Sequence, residues 1–78
     1  MQAAILLPDL GISPAILSVW YAEPGEFVQQ GDRVAEVLLG AATFDVSAPA
    51  TGWLSERCVR VNQRVNTGEP LGMLEVLE

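Results

Sequence analysis

The side chains able to do chemistry in this 78-residue chain are few: ten carboxylates, four arginines and one thiol. Histidine is absent, and so is lysine, because the four basic residues are Arg33, Arg57, Arg60 and Arg64. Without an imidazole the chain lacks the commonest general base and the commonest metal ligand. No Ser/His/Asp or Cys/His arrangement can be assembled. Without a lysine it offers no side-chain primary amine, which excludes Schiff-base chemistry and any cofactor held by an amide to lysine. The carboxylates Asp9, Glu23, Glu26, Asp32, Glu36, Asp45, Glu56, Glu69, Glu75 and Glu78 are scattered over turns and strand positions. None has the spacing of a calcium loop, and solvated side chains account for them. No catalytic residue and no metal ligand is assigned, and an enzyme is not expected. Cys58 has no partner for an internal disulfide, which fits a reducing compartment, and is read as a small packed side chain rather than a reactive thiol.

Whatever these groups do, a small scaffold must position them. The chain is one domain, residues 1–78, and a domain of this size buries only about 60–65% of the surface its unfolded chain exposes. Half of the residues are hydrophobic and 18% are charged, with a mean hydropathy of +0.31, which excludes a disordered tail. No apolar run approaches the roughly 20 residues that cross a bilayer, and no base precedes the first apolar stretch as in a signal peptide. No membrane role is expected. Net charge is −6, and such a surface repels phosphate backbones, so nucleic acid is not expected as a partner.

Glycine or proline interrupts every window long enough for a helix. Short runs rich in Val, Ile, Leu and aromatics remain, bounded by turn residues, and they predict eight strands. The spacing places them at 3–7, 15–22, 27–28, 34–38, 43–47, 53–61, around Val65, and at 71–77. The halves repeat at a shift of 37: Leu17-Ser18 falls on Leu54-Ser55, Gly25 on Asn62, and Val28–Asp32 on Val65–Glu69. Gly and Asn both tolerate a left-handed backbone, so one turn geometry suits both positions. The expected fold is all-β: a flattened eight-stranded barrel-sandwich hybrid of two four-stranded sheets with pseudo-twofold symmetry. The expected core is Ile5, Leu7, Val28, Val34, Val37, Val46, Leu54, Val59, Val65, Leu71 and Leu74. Trp20, Tyr21, Phe27 and Trp53 are expected in core or inter-sheet packing.

Four segments, in order, resemble the biotinyl/lipoyl carrier domain family. Pro8-Asp9-Leu10-Gly11 after an apolar strand is similar to the opening of lipoyl domains of 2-oxo acid dehydrogenase acyltransferases. Glu23–Asp32 resembles the family's first turn segment, Ala48-Pro49-Ala50-Thr51-Gly52 its Ala-Pro-x-x-Gly, and Val65–Leu71 its closing pattern. The resemblance implies a lysine at a hairpin tip, acylated by lipoate or biotin, eleven residues before the last glycine of Ala-Pro-x-x-Gly. Counting back from Gly52 reaches Ala41, within Leu38-Leu39-Gly40-Ala41-Ala42. Neither the Glu-Thr-Asp-Lys-Ala of lipoyl domains nor the Ala-Met-Lys-Met of biotinyl domains is present.

Fold follows the distributed pattern of glycines, prolines and apolar residues, whereas function follows one residue. The expectation is therefore a lipoyl-like domain carrying neither lipoate nor biotin. It would act as a docking or structural module associated with a complex of the 2-oxo acid dehydrogenase type, as a domain of, or accessory to, a dihydrolipoamide acyltransferase. A vestigial spacer or a free-standing paralogue is the alternative, and the chain fits either a small protein or an N-terminal domain. The resemblance implies a bacterial-type cytoplasm, or the mitochondrial matrix in a eukaryote. The uncharged tip Leu38, Leu39, Gly40 and Ala41 is the candidate contact surface. Adjacent leucines in a strand face opposite sides, which would put one in the core and the other outside as a contact; the reading preferred from sequence is that both pack inward across an irregular strand.

Overall fold

A computed structural model describes residues 1–11 and 14–77; Glu78, named among the carboxylates, lies outside the described residues. Eight strands form, β1 (Gln2–Leu6), β2 (Ala15–Trp20), β3 (Phe27–Val28), β4 (Arg33–Leu39), β5 (Ala42–Ser47), β6 (Gly52–Arg57), β7 (Arg64–Val65) and β8 (Pro70–Val76). All pairings are antiparallel, in two four-stranded sheets of order β1-β8-β6-β3 and β5-β4-β2-β7. Neither sheet is confined to one half of the sequence.

The repeat seen in the sequence is the symmetry of the fold. A shift of 37 carries β2, β3 and β4 onto β6, β7 and β8 residue for residue. A shift of 41 carries β1 onto β5, with Ile5 and Val46 at equivalent register positions. Even the irregularities repeat: Ser18 is extra between Leu17 and Val19, and Ser55 between Leu54 and Glu56. The turns match as well. Gly25 N donates to Leu54 O at 2.7 Å and Asn62 N to Leu17 O at 2.7 Å, with φ of +91° and +73°. Side chains close these turns in both halves. Glu26 accepts from Glu23 N and Gln63 from Arg60 N, just as Asp32 accepts from Gln29 N and Glu69 from Asn66 N.

Strand alternation drives one face of each sheet inward. All eleven expected core residues are buried, joined by Ala15, Leu17, Ala22, Ala35 and Ala48. The alanines were not legible in the sequence because small side chains give little hydrophobic signal. Two symmetry-equivalent side chains tie the sheets together at the flank of this core. Trp20 Nε1 donates to Val59 O at 3.0 Å. Its counterpart Arg57 donates from Nε and Nη2 to Ala22 O, at 3.2 and 2.7 Å, and its guanidinium stands 5.4 Å from the centre of the Trp20 ring.

Several sequence expectations need correction. The sixth strand ends at Arg57 rather than Val61, because Val59 and Asn62 belong to the turn equivalent to Ala22–Gly25. Trp53, Phe27 and Tyr21 are exposed, at 41%, 44% and 36%, and only Trp20 packs against the core. With Leu54 and Val28 pointing inward, alternation forces Trp53 and Phe27 outward. Cys58 is likewise exposed rather than packed.

Candidate functional site at the β4–β5 hairpin

Leu39 pairs with Ala42 and Leu38 with Thr43, so Gly40-Ala41 is a two-residue turn. Gly40 has φ of +62° and Ala41 does not have positive φ. Glycine first and an ordinary residue second is the type II′ pattern, whose twist matches that of the flanking strands. Ala41 is exposed at the apex. The four predicted contact residues Leu38, Leu39, Gly40 and Ala41 are thus brought together at one tip.

The two leucines part company rather than both packing inward, as strand alternation requires. Val37 is fully buried, Leu39 lies on the same face and packs against the core, and Leu38 points to the outer face. There Leu38 is half-buried rather than exposed, because it sits in a row Thr43–Leu38–Ile16–Arg64 across the sheet. Ile16, 37% exposed, extends this apolar surface and was missed from sequence. Phe44 is 39% exposed although it pairs with the buried Val37, because β5 is the edge of its sheet. The chain entering β2 arrives level with the hairpin turn, since Ile16 pairs with Leu38. In the preceding loop the Asp9 carboxylate accepts from Gly11 N at 2.9 Å, while Leu10 leans on the core.

From Leu38 to Phe44 no residue carries a charge. The apex offers methyl groups, backbone amides and the hydroxyl of Thr43. An amide-linked lipoyl or biotinyl group needs an amine on the turn, and neither Gly40 nor Ala41 supplies one, so the residues present do not fit such a group. Elsewhere, no cluster of three or more Cys, Asp or Glu able to hold a metal exists among the described residues, and these residues enclose no ligand-sized cavity. The acidity of Cys58 departs clearly from the ordinary. Partial burial, and then the Glu56 carboxylate, push its thiol up, away from the thiolate.

The family model described as "Biotin-requiring enzyme", the biotin/lipoyl family, matches residues 3–74. The chain is 28% identical over 75 residues to the dihydrolipoyllysine-residue succinyltransferase component of the 2-oxoglutarate dehydrogenase complex of Bacillus subtilis, covering 94% of the chain and 18% of that protein. It is equally 28% identical over 75 residues to the dihydrolipoyllysine-residue acetyltransferase component of the pyruvate dehydrogenase complex of Haemophilus influenzae, covering 96% of the chain and 13% of that protein. The chain therefore spans less than a fifth of the length of these relatives. Among solved structures, the lipoyl domain of the 2-oxoglutarate dehydrogenase complex of Azotobacter vinelandii is 26% identical with a TM-score of 0.74, covering 92% of this chain and 94% of that one. A single-chain, multi-domain long-chain acyl-CoA carboxylase shares the fold at 17% identity and a TM-score of 0.84, over 99% of this chain and 7% of that one. Since the match takes in strands of both sheets and the hairpin between β4 and β5, the chain belongs to the biotin/lipoyl family.

Proposed function

We propose that this domain is a non-carrier member of its family. It takes neither lipoate nor biotin on the hairpin, and it serves as a docking or structural module in an assembly of the 2-oxo acid dehydrogenase type. The observation that carries this reading is the apex itself. A two-residue turn is held in place by paired strands, yet its side chains are Gly40 and Ala41, and the 78 residues contain no lysine. Around it the turns, the core and the pseudo-twofold pairings are kept in full. A chain losing its function altogether would lose those too.

The domain contributes no catalysis of its own in this reading and works as a part of, or an accessory to, an acyltransferase component. The likeness to domains of two such components supports the choice of assembly. The apolar row of Leu38 and Ile16 beside the apex supplies the contact, with Ala41 leaving room for a partner to approach.

The test is to co-express the chain with a lipoate ligase and a biotin ligase and weigh it intact. The unmodified mass is expected, and a lipoyl or biotinyl increment overturns the reading. The companion variant is Ala41→Lys, which places an amine at the exposed apex and is expected to restore partial acylation. Gly40 is left alone, because its φ of +62° suits glycine. Docking is tested separately, by asking whether the wild-type domain recovers dehydrogenase-complex components from its source cell and whether Leu38→Asp loses them. Recovery of neither, or of both equally, leaves the spacer reading as the stronger one.

A further inference from the structure

The outer faces of the two sheets are related by the pseudo-twofold, but their chemistry is not. On the β1-β8-β6-β3 sheet, one row runs Gln2–Glu75–Trp53–Phe27 and the next Ala4–Met73–Glu56. The equivalent rows on the other sheet are Thr43–Leu38–Ile16–Arg64 and Asp45–Glu36–Val19. The second face mixes both charges, and Arg33 pairs with Asp45 at 3.6 Å. The first carries two carboxylates and no arginine at any of these positions. Its aromatic pair is exposed, Phe27 at 44% and Trp53 at 41%, with ring centres 5.2 Å apart and planes inclined by 65°.

The fold does not require this arrangement, since arginine and isoleucine occupy the equivalent positions in the other half. Glu75 lies beside Trp53 in the row, and its ion pair is to the Met1 ammonium at 3.6 Å, with both partners largely exposed. Such a contact is easily exchanged for another cation. An open indole and phenyl ring next to carboxylates is the environment that holds a guanidinium, which can stack on the ring and pair with the acid.

We propose that this face is a second docking surface, for an extended arginine-bearing apolar segment of a partner protein. Its apolar residues would lie on Phe27, Trp53 and Met73 and its arginines against Glu75 and Glu56. Charge complementarity selects this occupant: the face is acidic, and the chain as a whole carries −6. The proposal stands independently of the hairpin reading, because it involves different strands and residues.

The probe is a synthetic peptide of alternating leucine and arginine, with the same peptide carrying glutamate for arginine as its control. Binding is followed by the amide and indole N–H shifts of the labelled domain. The arginine peptide is expected to move the Trp53 indole and the Glu75 amide while leaving the Trp20 indole in place. Trp53→Ser and Glu75→Gln should each weaken binding at least threefold, and added salt should weaken it further. Glu75→Gln preserves size, so its result stands even if Trp53→Ser disturbs the sheet. Equal binding of the glutamate peptide, or variants that bind as well as wild type, overturns the proposal. So does a concentration-dependent dimer that is lost in Trp53→Ser, which would assign the face to a second copy of the chain.

Discussion

Leu38 and Leu39 are adjacent in sequence and chemically identical, yet they answer to different demands. Leu39 rests on the core, so Leu39→Asp would press a carboxylate against apolar groups and should cost about 2 kcal/mol or more. Leu38 lies half-buried on the outer face beside Ile16, so Leu38→Asp should cost about 0.5–1 kcal/mol. Urea unfolding of the two variants checks the order, and the reverse order would mean that the strand faces are wrongly assigned. Cys58 makes a second prediction. A raised pKa in the folded state keeps the thiol protonated to higher pH, so less thiolate is present at any pH on the rising limb. Iodoacetamide should therefore alkylate the native chain more slowly than the urea-unfolded chain at the same pH, with its rate profile displaced upward in pH. Coincident profiles would show that the native surroundings do nothing to the thiol. At this scale the absent acceptor was fully legible, because composition alone reveals a chain without lysine. The size of Phe27 and Trp53 argues for burial, but alternation with the buried Val28 and Leu54 requires both aromatics to face out.

Among the elements, β6 shows how one residue sets a sheet. A Cβ built on Gly52 collides with the carbonyl oxygen of Glu75 and stands 2.9 Å from Val76 Cα. These are backbone atoms of the paired strand β8 and cannot rotate away. Gly52→Ala should therefore cost about 3 kcal/mol, the upper range for overpacking, seen as a lower urea midpoint with the slope unchanged. A loss under about 1 kcal/mol would mean that β6 and β8 separate freely. Its symmetry equivalent, Ala15, is fully buried and accommodates a methyl group, so the demand belongs to this strand pair and not to the fold in general. The strands themselves were legible because turn residues punctuate the chain at every reversal. The end of β6 was not, since Cys58-Val59-Arg60-Val61 carries the β-branched pattern of a strand while its backbone follows the Ala22–Gly25 turn. The 37-residue shift carries Trp20, the end of β2, onto Arg57, the end of β6.

For the whole molecule, the symmetry makes a stronger demand than any single contact. The shifts that superpose the halves carry Leu39 onto Val76 and Ala42 onto Met1, and Val76 N donates to Met1 O at 2.8 Å. Met1 and Val76 thus stand where the two bases of the β4–β5 hairpin, Ala42 and Leu39, stand in the other half. A circular permutant follows directly. Replacing residues 77 and 78 by Asn-Gly, joining them to Met1, and opening the chain between Gly40 and Ala41 exchanges the roles of the two ends. Asn-Gly suits a two-residue hairpin, and the bridge from the Met1 ammonium to Glu75 that is lost is exposed and worth about 0–1 kcal/mol. Every core side chain and every strand pairing survives the exchange. The permutant should show the far-ultraviolet dichroism of the parent and unfold cooperatively, within about 2 kcal/mol of the parent once the new turn is made. If it is instead expanded, or unfolds without a cooperative transition, then the β4–β5 turn must be covalently closed for the sheets to pair. The apex would then be retained as a folding element, and its uncharged residues would need no partner to explain them.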